Sequence, residues 1–108
     1  MITLDQIKDA LVSSFQGVVT KERLSGEAQF DIVKKAKRLG ILLSRAAGHN
    51  NSEIAQAFGY SSAKSLSATF FRSVGECRED DWMKGKARDI AATFGDDFLQ
   101  KIDETLSL

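Results

Sequence analysis

Apolar side chains recur three or four positions apart along most of the chain and seldom alternate at period two, so the pattern predicts helices throughout. The first is expected over residues 3–15, where Leu4, Ile7, Leu11 and Phe15 share one face. Thr3 and Gln6 form a capping-box pair at its start, and Gly17 stops it. Thr20 to Leu24 predict a short helical turn before Ser25 and Gly26. The longest helix is expected from Glu27 to about Ala47, with Ile32, Ala36, Leu39 and Leu43 inward and charge on the other side. Gly48 breaks it. Asn50 or Asn51 then caps the next helix, with Glu53 at its third position if Asn50 is the cap.

Residues 52 to 75 predict two short helices joined by a tight turn. Ile54, Ala55 and Phe58 form the apolar patch of the first, and Gly59 supplies a residue that tolerates positive φ. Tyr60 closes the turn. Ser61 or Ser62 is expected to cap a second helix whose inward row is Leu66, Phe70 and Val74 and which Gly75 ends. Ser62, Lys64, Ser65, Ala68, Thr69 and Arg72 then face away from that row. This is the spacing of a helix-turn-helix, and equally that of a helical hairpin that only packs.

Glu76 to Asp81 read as an acidic connection. Trp82, a core or edge anchor, opens a further helix carrying Lys84, Lys86 and Arg88. Ile90, Phe94, Phe98, Ile102 and Leu106 recur every four residues, with a break at Gly95 before Asp96 and Asp97. This tail either folds back on the domain or pairs with a second copy. Phe98, Ile102 and Leu106, together with Phe71, are therefore the candidate protein-interface residues. The expected fold is all-α: one compact multi-helix domain, 1–108, built around a helix-turn-helix, with supporting helices in 1–33, a basic helix plus the motif in 34–75, and acidic helices in 76–108.

Composition agrees with a single globular domain: 108 residues, 43% apolar, 28% charged and no proline to interrupt a helix. A net charge of zero argues against a protein that coats nucleic acid, but its distribution changes that picture. Residues 1–33 carry a net charge of −2, residues 34–72 carry seven basic and one acidic side chain for a net +6, and residues 73–108 carry −4. A basic segment flanked by acidic ones has the form of a phosphate footprint. Lys34, Lys35, Arg38 and Arg45, with Lys37 beside them, are the expected phosphate contacts, which hold register without reading sequence. Ser61, Ser62, Lys64, Ser65 and Arg72 are the candidate base readers, Lys64 as a donor to guanine acceptors.

Other chemistry has little to stand on. One cysteine, Cys77, precludes an internal disulfide, and one histidine, His49, leaves no zinc-ligand spacing. Both read as bland connection or loop residues. There is no glycine-rich phosphate loop and no identifiable carboxylate pair, so neither an enzyme nor a cofactor is expected. With no run of about 18 apolar residues and no signal pattern, a cytoplasmic chain without a membrane partner is expected, and no effector-binding segment is evident.

The run EIAQAFGYSS, Glu53 to Ser62, followed by Leu66, Ser67, Phe70, Arg72 and Gly75, resembles the second helix-turn-helix of AraC-type transcription regulators. Arg38-Leu39 and Leu42-Leu43 resemble that family's preceding helix. Ala68 and Phe71 stand where the family puts Arg and Lys on its recognition helix, and the family's first helix-turn-helix has no counterpart. Residues 2–75 are also similar in layout to the C-terminal, TrpR-like DNA-binding domain of the replication initiator DnaA. There Ser62-Ala63-Lys64 replaces the Asp-His-Thr start of the reading helix, so origin reading does not carry over.

Both resemblances imply a helix-turn-helix and a double-stranded DNA partner, in a small transcription regulator or a replication or mobile-element accessory protein. A homodimer would let two such motifs read one duplex face. The alternative is a protein-binding adaptor that keeps the scaffold but no longer reads DNA, favoured by Ala68 and Phe71.

Overall fold

The computed structural model describes residues 1–26 and 30–107, which form seven helices and no strand. The first, α1 (Leu4–Ser14), opens with the expected box: the Thr3 hydroxyl accepts from Gln6 N and the Gln6 side chain accepts from Thr3 N. Gly17 (φ +77°) turns the chain into α2 (Lys21–Ser25), capped by Thr20. The expected start of the long helix at Glu27 lies outside the described residues. Helix α3 (Asp31–Ala46) follows Phe30, which offers no side-chain cap.

Helix α3 is the centre of the molecule and touches every other helix. The sequence pattern predicts one apolar face. The second half of α3 is instead buried nearly all round, from Leu39 through Ser44, as a helix with neighbours on all sides must be. Gly48 (φ +97°) ends it in a Schellman turn, in which His49 N donates to Ser44 O and Gly48 N to Arg45 O. Asn50 caps α4 (Asn51–Ala57) in a second reciprocal box with Glu53. His49 is more than a loop residue, since its largely buried ring lies with Nε2 2.7 Å from Ile2 O.

The second motif helix departs from expectation at both ends. Helix α5 (Leu66–Glu79) starts after Ser65, so eight residues, 58–65, replace the tight turn. Ser62 does not cap it, because its Oγ accepts from Lys64 N within the connection. Nor does Gly75 end it, since only Gly17, Gly48, Gly59 and Gly95 take positive φ among the described residues. Cys77 is consequently a fully buried helical residue, and the supposed acidic connection is mostly the last turn of α5.

Asp80 alone separates α5 from α6 (Asp81–Ala92). Its amide closes the last turn of α5 on Glu76 O, and its carboxylate accepts from the Trp82 and Met83 amides. Trp82 is an edge anchor, its ring packed against Phe15 at 5.9 Å. Gly95 (φ +108°) makes the expected break before α7 (Asp96–Ser107). That helix folds back onto α3, α5 and α6. Phe98, Ile102 and Leu106 are thus buried core residues, at 6%, 0% and 6% exposure, and not an interface available to a partner. Of the expected interface set only Phe71, 68% exposed, stays at the surface.

Candidate nucleic-acid interface

The connection 58–65 is fixed at its start by a second Schellman turn. Tyr60 N donates to Ala55 O at 2.9 Å around Gly59 (φ +74°). Gly59 has a further reason to lack a side chain, because a Cβ there would overlap the carbonyl of Ser25 at the end of α2. The turn is therefore pinned both by its own backbone and against α2. Tyr60 points back toward α3, where the Lys37 ammonium sits 4.8 Å from its ring centre.

Between this turn, α3 and α5 lies a cleft of about 600 Å³. Lys34 and Arg38 reach it from α3, Thr69 and Arg72 from α5, and Tyr60 and Ser61 from the connection, with no acidic residue in its lining among the described residues. Thr69 and Arg72 lie one turn apart on the face that the sequence spacing turns outward. Burial pushes the Tyr60 phenol above its ordinary range, so it stays a neutral donor near neutral pH.

Lys34, Lys64 and Arg72 are exposed, and among the described residues their side chains make no ion pair or hydrogen bond. Ser61, Ser62 and Ser65 are exposed beside them. Ser65 Oγ makes no capping bond, and the first turn of α5 carries no acid, so the positive end of that helix is not offset locally. Ser61, Ser62, Lys64 and Ser65 belong to the connection ahead of α5, and of the five expected base readers only Arg72 is on the helix itself.

The expected row of phosphate contacts on α3 is not a row of open cations. Arg38 forms a two-pronged pair with Glu76, Nε to Oε1 at 2.6 Å and Nη2 to Oε2 at 3.1 Å. Arg45 donates to Asn51 Oδ1 at 2.7 Å and stacks 4.8 Å from the Phe70 ring, while Asn51 donates on to Ser67. Arg45 therefore ties α3, α4 and α5 together. Lys35 lies over the Trp82 ring at 5.5 Å. Lys37 is buried, with its Nζ 2.6 Å from Gly26 O. The common cause is that α3 is central, so most of its long cations reach a neighbour before they reach water.

Glu76 was not among the expected site residues, although a signal for it exists. Once α5 continues past Gly75, Glu76 falls four residues after Arg72 and seven after Thr69, on the same helical face. No three His, Cys, Asp or Glu side chains are grouped to hold a metal ion among the described residues, and none of their helices is long and apolar enough to cross a membrane. No family model, curated protein or solved structure matches the chain.

Proposed function

We propose that the chain binds double-stranded DNA with the face formed by the 58–65 connection and the first half of α5. The observation that carries this reading is the convergence of two cations that make no ion pair among the described residues, Lys34 from α3 and Arg72 from α5, with the Ser61 hydroxyl around one cleft that has no acidic lining among the described residues. Phosphate needs cations together with short hydroxyl donors, and the N-terminal end of α5 adds its dipole. On this reading Lys34 contacts phosphate. Lys64 and Arg72, with Ser61, Ser62 and Ser65, face the base edges. The helix-turn-helix resemblance points the same way, to a small transcription regulator or a replication or mobile-element accessory protein.

Fluorescence anisotropy with a random 20-base-pair duplex at about 50 and 200 mM salt tests the reading. Binding should weaken steeply with salt, and K34A should flatten that dependence by roughly 0.9 in log–log slope, the one phosphate that is no longer neutralised. Absence of binding at the lower salt overturns it. Selection from a random duplex pool would then return the site, and its symmetry the number of copies bound.

The adaptor reading is favoured by one specific observation. Phe71 is 68% exposed, packs edge-on against Phe70 at 5.4 Å, and borders a groove with Val74, Gly75 and Thr105. A chain that binds no duplex at any salt while F71A abolishes capture of a specific protein partner would establish this reading instead.

A further inference from the structure

The Arg38–Glu76 pair bears on how the cleft discriminates, an inference that rests on the DNA-binding reading above. Arg38 lines the cleft beside Lys34 and Arg72, yet two of its five N–H donors are already committed to one carboxylate. Both side chains keep 26% of their surface exposed, so the pair is open to solvent and not sealed in the core. It exists because α5 runs on through Gly75 and carries the first acid of the C-terminal segment back against the basic helix.

A duplex phosphate that approaches this edge of Arg38 meets a donor fork already filled by an anion of similar geometry. It gains only what an exchange returns. Lys34, Lys64 and Arg72 meet no such competitor among the described residues. We propose that Glu76 is a specificity-determining residue of this face. It withholds Arg38 from the phosphates of arbitrary duplex, which lowers sequence-independent affinity without touching the base-reading groups. Sequence-independent affinity is set by the number of phosphates neutralised, so the pair keeps that number one below what the exposed basic residues around the cleft would supply.

The test is anisotropy with the random 20-base-pair duplex between about 50 and 200 mM KCl. E76Q retains a hydrogen-bonding oxygen for Arg38 but no charge. It should steepen the log–log salt slope by about 0.9, one further phosphate, and tighten binding several-fold at the low-salt end. E76Q/R38A should lose that gain. E79Q, which removes an exposed neighbouring carboxylate, should leave the slope at the wild-type value. Thermal melting checks that each variant is folded, and E76M repeats the first arm if E76Q is not. An unchanged slope in folded E76Q or E76M overturns the proposal, as does the same steepening in E79Q or its persistence in E76Q/R38A. A wild-type chain that binds no duplex at 50 mM overturns the DNA reading and this inference with it. Wild-type binding without the Glu76 effect overturns the inference alone.

Discussion

The ring of Phe58 lies against the backbone of Gly40, where a Cβ would overlap ring carbons Cε1 and Cζ and come 3.2 Å from Leu11 Cδ1. Helices α1 and α3 and the residue that ends α4 therefore meet at a point sized for a hydrogen atom. G40A gains about 1 kcal/mol of helix propensity but overpacks a site where Phe58 and Leu11 are both fully buried, at a cost of roughly 1–3 kcal/mol. A net loss of about 1 kcal/mol is expected in urea unfolding. G40A/F58L should recover part of it, and additive losses in the double mutant would show that the ring is not the obstacle.

Gly59 combines positive φ with the close Ser25 carbonyl. Positive φ alone would be eased by asparagine, which tolerates the left-handed region. A backbone carbonyl rejects any Cβ. G59A and G59N should thus both lose more than about 2 kcal/mol, given strain of about 1–3 kcal/mol from φ and a further cost from the overlap. A mild G59N beside a severe G59A would mean that only the dihedral matters.

The pH response of stability has a marked group in Cys77. Burial, helped by the Glu76 and Asp80 carboxylates, pushes its thiol from an ordinary 9.0 up to about 11. The unfolded chain therefore releases this proton first. Stability from this source is complete below about pH 9 and falls as pH rises toward 11. The Tyr60 phenol, also raised by burial, acts in the same direction. Urea midpoints of wild type should drop further between pH 9 and 11 than those of C77A, and parallel curves would rule Cys77 out as the cause. The native thiol should also resist aromatic disulfide reagents at pH 8 until urea exposes it.

Removal of residues 96–108 tests what α7 is for. Phe98, Ile102 and Leu106 each contribute roughly 1.5–3 kcal/mol by burial, together comparable with a typical domain stability of about 5–15 kcal/mol. The truncated chain should lose its cooperative thermal transition. A folded truncation that merely changes mass in light scattering would return these residues to the interface role that the sequence left open.

What the pattern of residues could and could not reveal follows from the range of each interaction. Both capping boxes, Thr3 with Gln6 and Asn50 with Glu53, were legible because they close within three residues. The breaks at Gly17, Gly48 and Gly95 were legible for the same reason. Gly75 misled because a glycine stops a helix only where the chain must turn, and here Cys77 and Val74 pack inward on either side of it. The fates of Arg38 and Arg45 were hidden, since they depend on Glu76 of a distant helix and on the depth of α3 in the fold. The exposed members of the candidate face, Ser61, Lys64 and Arg72, were named from spacing. The cleft that gathers Ser61 and Arg72 with Tyr60 needed three elements in place.

The single-residue corner at Asp80 has a mechanical consequence. One carboxylate fixes the start of α6 while the same residue's amide finishes α5, and α6 is in turn held to α1 by the Lys86 ammonium on Ser14 O. No slack remains through which α5 could swivel alone. A ligand that meets its outer face meets a lever welded to the whole bundle, so docking would proceed without a hinge. The amides of α5 and α6 should then open to hydrogen exchange together, as one cooperative block.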